Sequence, residues 1–280
     1  MTAVTADAGA DQRAADRDRR ELLLLALPAG AVLLLGLLLA FLVGPIVLVV
    51  AAVLASALVA LALFGADRLV LAAIGARPAD PDALPRYHNL VHGLCLDAGI
   101  AEPKLLLIDA SAPNALAFGS SPRHSTIAVT TGLLEQLNLV ELEGVLGHQV
   151  ELIRGHGARL RTVAVVLGGL APALWYRGGP WRALAWLAAP LVPLQRLLDQ
   201  GAIQTEADER GALLTRYPPG LVHALVKVAD QGQAPASARA VAHLWLVEPA
   251  RPGPSNEPGW LWSGLDSRPL DERLSELREL

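Results

Sequence analysis

The stretch that decides the fold runs from residue 138 to residue 156 and reads Asn138-Leu-Val-Glu-Leu-Glu-Gly-Val-Leu-Gly-His-Gln-Val-Glu-Leu-Ile-Arg-Gly-His156. Asn138, followed three residues later by Glu141, is the pattern of a capping box, which starts a helix. The stretch therefore predicts a helix that begins directly after Asn138 and carries His148 in its middle.

The middle of this helix matches part of a zinc-binding pattern. In H-E-x-x-H, two histidines one helical turn apart bind Zn²⁺ from the same face, and the glutamate between them activates the metal-bound water. The corresponding window here is His148-Gln149-Val150-Glu151-Leu152. It keeps the first histidine, has the neutral Gln149 at the general-base position, and has the hydrocarbon Leu152 at the second histidine position.

The N-terminal part of the chain is strongly apolar. Hydrophobic residues make up 53% of the 280 residues, and Leu22 to Ala66 is a run of 45 residues without a charge. A helix of about 20 apolar residues crosses a bilayer core, so this run suffices for two spans, with Gly44-Pro45 at its midpoint. It predicts a transmembrane helical hairpin over residues 22–66, after a disordered tail over residues 1–21. A cleaved signal peptide would be one shorter apolar stretch.

Basic residues lie on one side of the predicted hairpin. The turn has none, whereas both outer flanks carry arginines: Arg13, Arg17, Arg19, Arg20, Arg68 and Arg77. The positive-inside rule then places both termini and the main domain, residues 67–280, in the cytoplasm. We expect an integral membrane protein, of the bacterial plasma membrane, whose first partner is the lipid bilayer.

Two further features of the composition narrow the function. A single cysteine, Cys95, fits a reducing compartment and excludes a disulfide framework or a cysteine-based metal site within one chain. The net charge of −4, without a long basic run, gives no electrostatic reason to expect nucleic-acid binding.

A second apolar region, residues 162–195, consists of two uncharged runs of 15 and 13 residues, Thr162–Tyr176 and Ala183–Gln195. Both are short for a span, and the loop between them carries Arg177 and Arg182. A membrane-associated hairpin that is re-entrant or lies in the interface, with Trp175, Trp181 and Trp186 at headgroup depth, satisfies length and charge. Two short true spans remain the alternative.

The main domain is predicted to be α+β, mainly α, with a small β-sheet. Helical spacing or capping predicts helices over residues 85–98, 204–214, 221–229 and 271–280, besides the one after Asn138. Short apolar runs predict strands over residues 104–108, 115–119 and 126–130, the last two joined by a turn at residues 120–124. Four prolines make residues 249–258 a surface loop.

These motifs together resemble those of one family, the HtpX-like membrane metallopeptidases, which include the CAAX prenyl endopeptidases. Asn114-Ala-Leu-Ala-Phe-Gly119, Thr130-Thr-Gly-Leu-Leu-Glu-Gln-Leu137 and Glu141-Leu-Glu-Gly-Val-Leu-Gly-His148 resemble the family's N-A-F-A-x-G, T-x-G-L-L and E-L-x-x-V-L-A-H. Downstream, Gln204-Thr-Glu-Ala-Asp208, His243-Leu-Trp245 and Ser267-Arg-Pro-Leu-Asp-Glu-Arg273 resemble its E-x-x-A-D, H-L-W and T-H-P-P-x-x-R. The resemblance covers about residues 20–280 and implies a zincin-like cytosolic domain.

The resemblance also implies which positions would hold zinc. His148 keeps the first ligand, but Gln149 replaces the catalytic glutamate, Leu152 the second histidine, and Gln204 the third, glutamate ligand. Catalytic zinc generally takes three protein ligands plus water. We therefore expect no cofactor here, zinc being the one to expect if the family function is retained, and we expect His148 to be a buried, hydrogen-bonded core histidine.

A rebuilt metal site is the alternative. Glu151 lies one turn after His148, and the resemblance brings Glu206 near, whereas His156 is about 12 Å further along the helix at 1.5 Å per residue. His88 and His92 have helical spacing without an acid between them, which is typical of solvated surface histidines.

The expected function is that of a membrane-bound, non-catalytic pseudoprotease that binds a peptide or a membrane-protein partner. Its sheet-edge strand would pair with an extended peptide by β-augmentation through Asn114, Ala115, Leu116, Ala117, Phe118 and Gly119. The alternatives are an active metalloendopeptidase acting on membrane or misfolded proteins through a rebuilt site, and a structural subunit that assembles with an active relative.

Overall fold

The computed structural model describes residues 19, 22–23, 25–34, 36–37, 46–166, 171, 174–175, 178–188, 200–231, 241–248 and 268–280. We label its helices α1 (Leu25–Leu34), α2 (Ile46–Phe64), α3 (Ala66–Ile74), α4 (Pro85–Ala98), α5 (Thr131–Gln136), α6 (Leu139–Arg154), α7 (Gly157–Ala164), α8 (Trp181–Ala188), α9 (Gln200–Thr215), α10 (Pro218–Gln231) and α11 (Leu270–Arg278). The strands are β1 (Arg77–Pro78), β2 (Lys104–Ile108), β3 (Ala115–Ser121) and β4 (His124–Thr130). The α+β, mainly α prediction is confirmed.

The four strands form one mixed sheet in the order β1-β2-β4-β3. Strand β2 pairs in parallel with β4, from Lys104 opposite Thr126 to Ile108 opposite Thr130. The β3–β4 hairpin is antiparallel, with Ala115 opposite Val129. Strand β3 therefore lies at one edge of the sheet.

Several predicted elements agree closely with the structure, and others differ in their bounds. Helix α4 and strand β2 have the predicted bounds, and Gly99 ends α4 in the left-handed conformation. Strands β3 and β4 each extend two residues further toward their turn than predicted, because Ser121 and His124 still pair. Helix α10 begins earlier, at Pro218, since a proline in the first helical turn loses no hydrogen bond.

Part of the predicted membrane hairpin is described. Of the described helices, only α2 is long and apolar enough to cross a membrane, judged by length and composition. Gly36 packs directly on this helix: a Cβ at Gly36 would lie 2.2 Å from Cβ of Ala51. Gly36, which precedes α2 in the chain, thus lies against Ala51 of α2. The turn predicted at residues 44–45, most of the predicted tail and the predicted 249–258 loop lie outside the described residues.

Helix α6 lies at the centre of the main domain. Its buried apolar side chains, Leu142, Val145, Leu146, Val150, Leu152 and Ile153, belong to one core shared with α4, α9, α10 and the sheet. The approach to α9 is close enough to require glycine, because a Cβ at Gly211 would lie 2.7 Å from the backbone N of His148. This close packing sets α9 directly against the middle of α6.

Candidate functional site

The site is built on α6, whose start is held as the sequence predicts. The Asn138 side chain accepts a hydrogen bond from the N–H of Glu141 at 2.9 Å, and the Glu141 carboxylate accepts one from the N–H of Asn138 at 3.0 Å. This reciprocal pair confirms the capping box. It places His148, Gln149 and Leu152 in the middle of the helix, where all three are fully buried.

Helix α9 runs antiparallel to α6 along this stretch. Asp208 and Gly211 lie against His148, while a Cβ built on Gly157 would meet both Leu152 and Ile203 within 2.8 Å. Gln204 precedes Asp208 by one helical turn, on the same face. It is buried, and its neighbour Ile203 meets Leu152 at Gly157. Positions 148 and 152 are therefore buried on α6, and position 204 is buried on the helix packed against it.

A buried charge network holds the two helices together. Nδ1 of His148 lies 2.7 Å from Oδ1 of Asp208. Arg273 binds the same carboxylate with two hydrogen bonds, Nε to Oδ2 at 2.7 Å and Nη2 to Oδ1 at 2.9 Å. None of the three residues is more than 4% exposed. The network joins α6, α9 and α11, and it leaves His148 fully buried with Nδ1 close to a carboxylate oxygen.

The network sets the charges of its members. Burial alone would raise the pKa of Asp208, but Arg273 and His148 outweigh that effect and lower the pKa to about 2. Burial lowers the pKa of His148, and the negative charge of Asp208 opposes this shift without reversing it. His148 is therefore neutral at pH 7. Its Nδ1 faces Oδ1 of Asp208 at 2.7 Å, although the geometry does not meet the angle of a hydrogen bond, and its Nε2 has no partner among the described residues either.

Several polar atoms in the same region are buried without a hydrogen-bond partner among the described residues. They are Nδ1 and Nε2 of His148, both polar side-chain atoms of Gln149, and Oε1 of Gln204. In a protein interior such atoms are costly and mark either a water site or a functional position. The atoms belong to His148, Gln149 and Gln204. These are three of the four residues at the positions that the resemblance assigns to the zinc ligands and the general base.

The residues present do not fit catalytic zinc. The donors available are one imidazole nitrogen and two neutral amides, whereas zinc sites use thiolate, imidazole and carboxylate ligands. Leu152 occupies the second histidine position with a hydrocarbon side chain packed beside Gly157. No group of three or more His, Cys, Asp or Glu side chains that would hold a metal occurs in the described parts of the chain.

The residues considered for a rebuilt site are paired elsewhere. Glu151 is ion-paired with Arg154 at 2.9 Å, and Glu206 with Arg210 at 2.9 Å. Both glutamates line a cavity of about 10 Å³ beside Leu152, which is room for about one water molecule. The side chains of Glu151, Glu206 and His148 do not form a ligand cluster.

Three other histidines that the sequence singled out do not belong to the charge network of His148, Asp208 and Arg273. His156 follows the end of α6, in the left-handed conformation. His92 is exposed and pairs with Glu102, as expected for a surface histidine. His88 is a correction, because it is half-buried and its Nε2 contacts the carbonyl of Ala79 at 3.1 Å. Its neighbour Ala79 follows β1, a short strand that the sequence pattern did not predict.

The strand proposed for peptide binding lies at the sheet edge, but its outer backbone edge is not free. The N–H of Leu246 donates to the carbonyl of Ala115 at 2.8 Å, and Leu116 bridges to Trp245. At the other end, the N–H of Gly119 donates to Oγ1 of Thr162 at 3.0 Å. The expectation of an unpaired edge over residues 114–119 is therefore wrong. The segment that contains Trp245 already covers this edge.

The covering segment, residues 241–248, is fixed by buried polar contacts. Arg161 donates to the carbonyls of His243 and Trp245, and Nε2 of His243 donates to the carbonyl of Arg161 at 2.9 Å. Burial lowers the pKa of His243 to about 4, so this side chain is neutral at pH 7. The sequence contained one signal of this contact, because Trp245 is a large aromatic residue in the His243-Leu-Trp245 motif. No sequence pattern indicated a role for Arg161.

Comparison with known proteins agrees with the motifs. Residues 82–280 match the model of peptidase family M48. A protease HtpX homolog from Caldanaerobacter subterraneus subsp. tengcongensis is 31% identical over 240 residues, which are 76% of this chain and 78% of that protein. Another from Dictyoglomus thermophilum is 34% identical over 232 residues, which are 76% of this chain and 75% of that protein.

A third protease HtpX homolog, from Pyrococcus furiosus, is 34% identical over 207 residues, 66% of this chain and 71% of that protein. No solved structure matches the chain. The matched span includes the helix that contains His148, the helix that contains Asp208, and Arg273. The chain therefore belongs to peptidase family M48, as an HtpX-like member.

Proposed function

We propose that this chain is a membrane-anchored, non-catalytic M48 member that binds a peptide or a partner protein instead of cleaving it. The proposal rests on the residues at the positions that the family motifs assign to the general base and two metal ligands, which are Gln149, Leu152 and Gln204 on α6 and α9. The contacts of Asp208 and Arg273, by contrast, remain in place.

The physical argument concerns both metal binding and proton transfer. Loss of even a residue that only orients a metal ligand costs about 10–100-fold in affinity or activity, and here two ligand positions themselves have changed. A neutral amide at position 149 does not take a proton from water at neutral pH. In an interior without metal, burying amides and a leucine also costs less free energy than burying carboxylates without a cation.

The first test is metal content. Protein purified in detergent without chelators should contain far less than one zinc ion per chain, as measured by elemental analysis. The alternative, an active metalloendopeptidase with a rebuilt site, requires stoichiometric zinc. A stoichiometric zinc content that is lost in the variant His148→Ala would overturn the proposal.

We also propose that α2 is one arm of a transmembrane hairpin and that residues 162–195 are associated with the membrane. Val163 and Val166 pack against Ala62 and Ala66, at the end of α2 and the start of α3. Further along, Trp181 and Trp186 are exposed. Aromatic side chains in this setting favour the membrane–water interface.

The arginine distribution supports an orientation with both termini and the main domain in the cytoplasm, which single cysteines can test. In a Cys95→Ser background, Thr5→Cys and Leu280→Cys should resist an impermeant thiol reagent in intact cells, whereas Pro45→Cys should react. All three should react after the cells are lysed. Labelling of the terminal sites in intact cells would contradict this orientation.

A further inference from the structure

Helix α3 follows α2 almost without interruption, since Gly65 is the one residue between them. Helical backbone hydrogen bonds continue across this junction. The N–H of Gly65 donates to the carbonyl of Leu61 at 2.8 Å, and the carbonyl of Gly65 accepts from the N–H of Leu69 at 3.2 Å. No loop separates the two helices, so the start of α3 lies close to whatever surrounds the end of α2.

The inner face of α3 packs against the main domain. Its buried side chains share one apolar cluster with β3 and the segment that covers it, through Val70, Ile74, Leu116, Phe118 and Trp245. The single acidic side chain of α3, Asp67, also faces the domain, since its carboxylate accepts a hydrogen bond from the N–H of Ser120. The domain therefore accounts for the inner face of α3 and for its negative charge.

The outer face of α3 is apolar although it is exposed. Phe64, the last residue of α2, is 80% exposed, and Leu69 and Leu71 are 39% and 40% exposed. Arg68 is exposed among them, and it is the one charged residue on this face. A helix that is apolar on both faces is typical of a membrane or of a deeply buried core, and α3 is not deeply buried.

Helix α4 shows what a helix of the same domain exposes to water. It also packs one apolar face on the core, but its exposed residues include Arg86, Asn89, His92 and Asp97. Leu96 is the one large apolar residue that α4 exposes, and single exposed leucines are ordinary on soluble surfaces. The exposed surface of α3 therefore differs from that of a water-facing helix.

We infer that the outer face of α3 contacts the surface of the lipid bilayer, with its leucines at the boundary of headgroups and acyl chains and Arg68 at the lipid phosphates. Continuity with α2 determines this occupant. Arg68 is four helical steps after Phe64, so it lies at most about 6 Å from the end of α2. The headgroup layer is about 5–8 Å thick on each side of a bilayer, and a guanidinium binds phosphate through charge-assisted hydrogen bonds.

This inference rests on the proposed membrane span of α2, and it gives the main domain a further contact with the same membrane. Because α3 packs on β3, that side of the sheet would lie about one helix diameter, about 10 Å, from the lipid. This position would restrict the faces of the domain that a soluble partner protein can reach.

The experiment places the fluorophore NBD on Leu71→Cys in a Cys95→Ser background, with the full chain in nanodiscs of phosphatidylcholine and phosphatidylglycerol. Phospholipids with a doxyl quencher near the headgroup should reduce its emission more than those with doxyl near the end of the acyl chain. Aqueous iodide should quench it weakly. The matched control is Leu96→Cys on α4, which iodide should quench strongly and the doxyl lipids should not. Equal behaviour of the two sites would overturn the inference.

A label on α2 separates failure of this inference from failure of the proposed span. Val53 is 62% exposed in the middle of α2, so NBD on Val53→Cys should be quenched most by doxyl near the end of the acyl chain. Lipid quenching at Val53→Cys but not at Leu71→Cys would refute the α3 contact and leave the span standing, whereas none at either site would refute both. Protection of Leu71→Cys from lipid and iodide alike would mean that a protein covers this face, such as a second copy of the chain.

The variant Arg68→Glu, made in the Leu71→Cys chain, tests the contact of Arg68 with phosphate. A carboxylate is repelled by the lipid phosphates, so quenching by lipid should fall and quenching by iodide should rise toward the level of Leu96→Cys. Arg278→Glu is the matched control, because it makes an equal change of charge at an exposed position of α11, which packs against α9 and α10. It should leave the quenching unchanged. Unchanged quenching in Arg68→Glu, or equal changes in both variants, would contradict the assignment.

Discussion

The triple variant Gln149→Glu, Leu152→His, Gln204→Glu is expected to bind about one zinc ion per chain, where the parent chain holds far less. We expect this without movement of the backbone, because α9 packs closely on α6 and Gln204 lies one helical turn from Asp208, which contacts His148. The variant regains three protein ligands and a general base, and we expect it to gain metal-dependent peptidase activity. Elemental analysis and hydrolysis of unfolded casein measure the two gains.

The double variant Leu152→His, Gln204→Glu is the matched control, because it regains the ligands without the base. It should bind zinc and remain inactive. Without metal, the triple variant should be less stable than the parent, since buried carboxylates would face each other uncompensated. Zinc at about 1,000 times its Kd should return about 4 kcal/mol by mass action. A folded triple variant that takes up no zinc and shows no zinc-dependent melting shift would mean that these positions do not form the family site.

The variant Arg273→Met is expected to lose about 3–5 kcal/mol of folding stability, because it leaves the Asp208 carboxylate buried and without its bidentate partner. At about 2–4 °C per kcal/mol for a domain of this size, the melting temperature should fall by about 6–20 °C. Circular dichroism of the detergent-solubilised protein measures the change. His148 alone does not compensate the carboxylate, since burial keeps it neutral.

Two control variants distinguish the stability lost by leaving a charge buried without a partner from the stability lost with any ion pair. Arg77 and Asp109 form an ion pair at 3.2 Å in which both side chains are more than half exposed. Removing it with Arg77→Ala should cost at most about 1 kcal/mol. The double variant Asp208→Leu, Arg273→Met removes both buried charges and should be more stable than Arg273→Met alone. If Arg273→Met and Arg77→Ala cost the same, the buried network does not hold α11 to α9.

The fold could be predicted from sequence where the signal was local. The capping box from Asn138 to Glu141 spans three residues, and the end of α4 at Gly99 depends on one glycine in the left-handed conformation. The small strand β1 was not predicted, because a strand of two residues is too short to show an alternating pattern of apolar and polar side chains. The predicted strands β3 and β4 were too short, because backbone pairing between Ser121 and His124, and not residue composition, extends them.

What the sequence determined by itself is the chemistry of the site. Whether a position carries a carboxylate, an imidazole or a hydrocarbon is a property of the residue, so Gln149, Leu152 and Gln204 exclude the family's ligand set in any conformation. Only the tertiary structure decided which groups meet. Asp208 and Arg273 are 65 residues apart, and Asn114 and Val247, at the covered strand edge, are 133 apart. Such contacts depend on how α6, α9 and the sheet pack, and no local pattern in the chain encodes that packing.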